Sequence, residues 1–327
     1  MRRHRRLRVL QLPYPDTLRE NQMPVTLGSS PIAFGVRFPK DPLQLPWPRF
    51  LDEVSAAGYR VIELGPPDYL PTDGDVLEAE LMRRGLSVSG GALQFVLGDQ
   101  DDFERHRAGI EERCALLQRV GASYVVLLDG YYTDRDTGEL VARRALEASE
   151  WPALIDACDQ LMELVGQYGL RAVLHPHADT HVEYEPQVER FLGDSTMGLC
   201  FDVGHHAYRG HDPIAFLRRH YDRVEYLHLQ TVDVAIQRAV EHDDLSFARA
   251  VERGVFVEPW RGAVDFAALA SVLDEVGYDG YAIVEQGMYP APLDKPFRIA
   301  QRTYNYLTGL GIGELPDVTR TEKKGVR

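Results

Sequence analysis

The sequence is short of cysteine, of positive charge and of long apolar runs, and each shortage removes a class of protein. Its 3 cysteines, Cys114, Cys158 and Cys200, sit in apolar or helical segments without CxxC spacing. That pattern excludes a disulfide framework or a thiolate zinc site, and it fits small buried side chains in a reducing cytoplasm. Lysine and arginine number 36 against 50 aspartates and glutamates, a formal charge of −14. A duplex binder needs a basic surface to displace counterions, so nucleic acid is not an expected partner. No apolar run reaches the ~18 residues of a membrane span, which removes the membrane as well. A glycine-rich phosphate turn is also missing: Val36-Arg37-Phe38-Pro39 stands where a doubly wound nucleotide fold would carry one.

The first residues, Arg2-Arg3-His4-Arg5-Arg6-Leu7-Arg8, resemble the n-region of a signal peptide. Polar Gln11, Pro13, Pro15 and Asp16 follow, where an apolar h-region belongs. Residues 1–28 therefore read as a disordered or loosely attached extension, with Met23 as an alternative start, and residues 313–327 as a disordered tail. Between them, 44% hydrophobic and 26% charged residues describe an ordinary globular chain.

From Pro31 onward strand-like and helix-like pieces alternate. Strand candidates are Ile32 to Phe38, Arg60 to Leu64, Leu86 to Gly90 and Tyr124 to Leu128, with four more in the second half. Helices are expected at Pro48 to Ala57, Asp75 to Arg84, Asp101 to Val120 and Glu150 to Tyr168, with stops at Gly58, Gly85, Gly121 and Gly169. Eight such alternations predict a single-domain (β/α)8 TIM barrel over residues 29–312. One connection, from His228 to a helix beginning near Asp265, is unusually long. It holds a helical stretch from Leu245 to Glu252 and carries His242 and Trp260, as a lid or substrate wall after strand seven would.

What the second half does have is a series of electron-pair donors at strand ends. Leu170 to Leu174 runs into His175-Pro176-His177, Gly198 to Phe201 into Asp202, Val224 to Leu227 into His228, and Tyr281 to Val284 into Glu285. A histidine or aspartate after one strand is ordinarily a satisfied turn or core residue. Four in series argue for a common site, because the carboxyl ends of barrel strands gather at one rim. Two imidazoles and two carboxylates suit a divalent ion, manganese first, with cobalt, iron and zinc as alternatives.

The segments Ala57 to Gly65, His175 to Glu183 and Phe201-Asp202-Val203-Gly204-His205-His206 resemble the sugar phosphate isomerase/epimerase superfamily. The likeness continues through His228-Leu229-Gln230, Leu245 to Phe256, Gly262 to Phe266 and Gly277 to Tyr281, over roughly residues 31–312. Within these xylose isomerase-like barrels it is nearest to inosose dehydratase-like proteins. The resemblance implies a metal held by Glu, Asp, His and Glu, with Asp202, His228 and Glu285 in three of those places. His175 stands where many members carry Glu, and Glu183 or His177 is the alternative for that place.

The resemblance further implies that His177, two positions beyond the first ligand as in 3-dehydroshikimate dehydratases, is the general base. His205 would bind substrate hydroxyls or move a proton, and His206 would be packing. Glu63 and Trp260 are substrate-binding candidates. Gln230 is another, where dehydratase-like relatives often carry Lys. A metal-polarised ketone would lose its neighbouring proton to His177, and a β-hydroxyl would leave after protonation by His205 or Glu285. The expected substrate is a small polyhydroxylated ketone, a keto-cyclitol or keto-sugar, and the expected reaction is dehydration.

Three other activities stay open at this point. These are a sugar isomerase or epimerase, a C-glycoside-cleaving subunit acting on 3-keto-glycosides, and a non-catalytic sugar-binding barrel. A homo-oligomer or a partner subunit is compatible with each. A DNA-repair endonuclease of the same fold is disfavoured by the acidic charge and the incomplete multi-metal ligand set.

Overall fold

The computed structural model describes residues 24–314, and the expectations for residues 1–23 and 315–327 lie outside them. Eight parallel strands close into a barrel in sequence order. They are β1 Thr26–Ser29, β2 Val61–Leu64, β3 Ser87–Phe95, β4 Tyr124–Asp129, β5 Arg171–Leu174, β6 Gly198–Asp202, β7 Val224–Leu229 and β8 Tyr281–Val284. Pairing of β1 with both β2 and β8 completes the ring. The helices α1 Trp47–Ala57, α2 Gly74–Arg84, α3 Gln100–Arg119, α4 Trp151–Gly166, α5 Glu185–Asp194, α6 Val203–Tyr208, α7 Pro213–His220, α8 Val234–His242, α9 Phe247–Glu252, α10 Phe266–Glu275 and α11 Lys295–Gly309 complete the chain. No helix among the described residues is long and apolar enough to cross a membrane.

Two strand expectations are corrected. Ile32 to Phe38 is not the first strand: Pro31, which cannot donate to a ladder, opens a 3-10 turn over Pro31–Phe34. The strand is the preceding Thr26–Ser29, with Val25 and Leu27 buried, so the barrel begins before residue 29 and takes in part of the expected extension. At the other end Ile312 is fully buried, and the described chain continues to Glu314. β3 does not stop at Gly90 but runs on to Phe95. A Cβ at Gly90 would lie 2.7 Å from the Tyr124 carbonyl oxygen, so the glycine there permits close approach of two strands and is not a stop.

Three apolar clusters hold the fold. The barrel interior is plugged by Val61, Tyr124, Val126, Val173, Cys200, Tyr226 and Ile283. A larger cluster fills the layer between strands and helices, with Phe50, Phe191, Phe216 and Phe266 buried there. Cys114, Cys158 and Cys200 are all free and buried. The third cluster lies under the long β7–α10 connection, where Ala178, Tyr208, Val232, Val240, Ala250, Val255 and Phe256 pack together. That connection contains α8, ahead of the expected helical stretch, as well as α9. It is anchored by its own apolar contacts and lies across the carboxyl ends of the strands as a lid.

Candidate active site

Register brings the strand-end donors together. Asp202 pairs with His228 across β6 and β7, and Ser29 pairs with Val284, which sets Ser30 beside Glu285. The amide of His175 donates to the Leu127 carbonyl at 2.8 Å, so this residue extends β5 by one step. One donor atom from each of His175, Asp202, His228 and Glu285 lies within 4.8 Å of the other three. Three of the four, His175, His228 and Glu285, line a cavity of about 450 Å³.

The orientation of the donors fits a cation between them. His228 donates from Nε2 to Glu63 Oε2 at 2.8 Å, which leaves Nδ1 for a ligand. That Nδ1 is 3.1 Å from Glu285 Oε2 and 3.9 Å from Asp202 Oδ2, yet it makes no hydrogen bond with either. Nδ1 of His175 is likewise buried without a partner. Buried polar nitrogens are seldom left unpaired, and His228 Nδ1 here faces two carboxylates.

Each carboxylate is also held from behind. Asp202 Oδ1 caps α6, accepting the amides of Gly204 at 2.7 Å and His205 at 2.8 Å, while Oδ2 accepts from Gln230 Nε2 at 2.6 Å. Ser30 Oγ donates to Glu285 Oε1 at 2.8 Å. Gly204 makes this arrangement possible, since a Cβ there would lie 2.3 Å from Gln230 Cγ and 2.8 Å from the Gln230 carbonyl carbon. Gly204→Ala is therefore expected to force α6 from β7 and cost about 1–3 kcal/mol, lowering the thermal midpoint followed by circular dichroism. An unchanged midpoint would show that the contact relaxes freely.

Burial sets the protonation of the metal-free cluster. It pushes Asp202 up to about 6 and Glu285 up to about 7, against the opposing pull of His228. Burial also opposes charge on His228, but Cys200, Glu285 and Glu63 around the ring outweigh it and raise its pKa well above the usual value. Raised pKa values mean that protons occupy the donors near pH 6 and must leave before a cation binds. Cation affinity should therefore fall on acidification, by about tenfold per pH unit for each proton displaced. Competition against a fluorescent chelator at pH 7.5 and pH 6.0 measures this, and a pH-independent affinity would contradict it.

A pair of imidazoles flanks the cluster. The rings of His177 and His205 have centroids 3.9 Å apart, and His175 lies 5.3 and 5.4 Å from them. His177 Nδ1 donates to the Ala178 carbonyl at 2.6 Å, so its Nε2 carries a lone pair, 3.5 Å from the Tyr131 hydroxyl. His205 Nδ1 accepts the Ala178 amide at 3.4 Å, so its Nε2 carries a hydrogen. Burial holds His177 down to about 3 and His205 well below its usual range, so both rings are neutral at physiological pH.

The loop after β5 and the lid fix these rings. Asp179, at φ 63°, accepts from Thr133 Oγ1 at 2.6 Å, from the Phe247 amide at 2.8 Å and from Arg209 at 3.1 Å. Phe247 on α9 then covers His177 and His205 at centroid distances of 4.8 and 5.0 Å.

Glu63 lines the cavity, and its Oε2 accepts from His228 Nε2. Gln230 lines the cavity, with Nε2 donating to Asp202 and Oε1 without a partner. Several expectations are corrected here. Glu183 is no alternative ligand, since Tyr132, the Asp179 amide and Arg209 occupy it. Trp260 is 42% exposed and packs edge-on against Tyr306, away from the cavity, and His242 is exposed at the end of α8. His206, expected as packing, pairs with Glu185 at 3.0 Å and packs on Phe201. The sequence reading missed Tyr131, Phe247, Arg37 and Arg135, which line the cavity from loops and the lid. Of these, Phe247 lies in the Leu245 to Phe256 stretch that carried the resemblance, and Tyr131 forms an aromatic pair with Tyr132 just beyond a strand end.

A parallel eight-stranded barrel with donors converging at its carboxyl rim is the architecture of a barrel enzyme. Residues 51–307 match the xylose isomerase-like TIM barrel, and the chain belongs to that family. It is 27% identical over 290 residues to the inosose dehydratase of Geobacillus thermodenitrificans, covering 86% of this chain and 96% of that one. Among solved structures it resembles the probable 3-DHS dehydratase AsbF of Bacillus anthracis, with a TM-score of 0.68, 15% identity and coverage of 87% and 99%. It also resembles the IolI protein, solved with a bound zinc atom, with a TM-score of 0.66, 18% identity and coverage of 88% and 99%. At those identities the two structures speak for the fold alone. The chain is an enzyme, and its described residues hold a His, Asp, His, Glu cluster able to take a divalent metal.

Proposed function

We propose that this enzyme removes water from a keto-cyclitol or keto-sugar, taking the proton next to the ketone, as an inosose dehydratase-like lyase. The observation that carries the reading is the opposite hydrogen placement on two adjacent imidazoles. His177 offers a lone pair from Nε2 and His205 offers a hydrogen from Nε2, side by side at the edge of the metal-type cluster. An elimination needs that pairing: one group to accept the C–H proton and one to hydrogen-bond the departing hydroxyl.

A divalent cation, manganese first, would be held by His175, Asp202, His228 and Glu285 and would supply Lewis-acid polarisation of the ketone. The chain's own residues do the rest. Glu63 fixes the His228 tautomer, Gln230 orients Asp202, and the Asp179 network holds the His177 loop against the lid. Phe247 and Phe256 exclude water from the imidazole pair, so that the departing hydroxyl is not exchanged with solvent at random.

A second reading rests on Glu285. Its carboxylate lines the same cavity, and in place of a ligand role it would return a proton to the substrate carbon, which would give epimerisation. Incubation with scyllo-inosose, 3-keto-glucosides and common ketoses in deuterated buffer with manganese separates the two. Loss of water supports the lyase, whereas deuterium incorporation without elimination would overturn it in favour of the epimerase.

A further inference from the structure

We infer that the substrate carries an anionic oxo group, a carboxylate or a phosphate, and that Arg37 and Arg135 receive it at the cavity mouth. The inference rests on the reading of this cavity as the substrate site. Both side chains line it. Each donates from a terminal nitrogen to the other's backbone carbonyl, Arg37 to Arg135 at 3.0 Å and Arg135 to Arg37 at 3.4 Å, and no other hydrogen bond is made by either guanidinium among the described residues. A guanidinium has five N–H groups, so most of the donors in this pair remain free.

Charge makes the arrangement unusual. Among the described residues neither guanidinium has a carboxylate oxygen within 4.0 Å. The two like charges sit over the same ring, each 5.4 Å from the centroid of Phe38. Arg37 is half-buried, and both its burial and the charge of Arg135 work against it. The acidic groups acting on it are Glu252, already paired with Arg249 at 2.7 Å, and the exposed Asp136.

The cavity's own carboxylates do not balance the pair. Glu63 is bonded to His228, Asp179 to Arg209, and Glu285 borders the cation position. In a chain of net charge −14, two adjacent uncompensated cations at a cavity mouth are a costly arrangement that an anion would relieve. Planar forks of this kind match carboxylate and phosphate oxygens two at a time.

Position tells where on the substrate the anion lies. Arg135 stands over Tyr131 at 5.5 Å from the ring centroid, and the Tyr131 hydroxyl is 3.5 Å from His177 Nε2. The anionic group is therefore separated from the abstracted proton by about the breadth of one tyrosine ring. It lies at the end of the molecule remote from the ketone.

Titration calorimetry on the full chain tests this, once with Mn²⁺ and once after EDTA treatment, with D-fructuronate, D-fructose 6-phosphate and D-fructose. At least one anionic ketose is expected to bind about tenfold to a hundredfold more tightly than D-fructose, with or without metal. Which of the two prevails separates carboxylate from phosphate. In R37Q/R135Q the preference should fall to near parity, and if that protein does not fold, R135Q alone should reduce it severalfold. A pair that merely clamps the two loops would weaken all three ligands alike and leave the ratio unchanged. Equal binding of D-fructose, absence of binding by either anion, or a preference that survives the substitutions would overturn the assignment. Failure of the metal-dependent lyase reading would instead appear as absent turnover with the anion preference intact in metal-free protein.

Discussion

Asp202→Asn is expected to strip the site of its cation and lower turnover by roughly a thousandfold or more, while the fold stands unchanged. The reason lies in how that side chain is held. Its Oδ1 caps α6 through the Gly204 and His205 amides, and an asparagine keeps this oxygen. Its Oδ2 accepts from Gln230 Nε2, and an asparagine nitrogen there would meet another donor. Gln230 Oε1, however, is buried without a partner, so a flip of the Gln230 amide turns the clash into a hydrogen bond. The substitution thus removes one charge and one lone pair aimed at the cluster and little else. Loss of a group that only orients a ligand ordinarily weakens metal affinity by about 10–100-fold, and loss of the ligand itself should exceed that. Gln230→Leu provides the internal comparison at the smaller effect. Dialysis followed by elemental analysis reads both, and a fully metallated, fully active Asp202→Asn protein would remove Asp202 from the ligand set.

The parts of this site that could be read from sequence are those placed by periodicity. A short β-branched run ending in His, Asp or Glu has one physical outcome in a parallel barrel. The run pairs in register and its last side chain reaches the carboxyl rim, as His175, Asp202, His228 and Glu285 do. Glu63 obeyed the same rule, but the sequence could not show that His228 Nε2 would be its partner, because that contact joins strands far apart in the chain. Residues delivered by loops carry no period. Arg37 follows the Pro31–Phe34 turn, which the apolar content of the segment disguised as a strand, and Arg135 sits beyond β4 with nothing in its neighbours to mark it. Trp260 erred in the other direction. Its aromatic ring suggested a sugar platform, whereas it finds Tyr306 and Arg302 on the outside of the barrel.

His177→Ala should lower the rate of proton removal by about a hundredfold to ten-thousandfold while metal content stays at the wild-type level. This separation of effects is what distinguishes a base from a ligand. His177 belongs to a His175, His177, His205 grouping as well as lying beside the four-donor cluster, so metal loss on its removal would make it a ligand. Its pKa adds a second, sharper expectation. Burial holds the ring down to about 3, so it is neutral from pH 5 to pH 9 and contributes no titration to the pH–rate profile in that window. Any loss of rate on acidification should instead track the carboxylates pushed up to about 6 and 7, which take up protons as pH falls and so compete with the cation. The acid limb should therefore move to lower pH as manganese concentration is raised, and it should persist in the residual activity of His177→Ala. An acid limb near pH 6.5 that ignores manganese and vanishes with His177 would mean that the imidazole titrates in the working enzyme. Exogenous imidazole offers a last discrimination: partial rescue of His177→Ala, with deuterium exchange restored before product formation, is the signature of a missing base in a cavity large enough to admit its replacement.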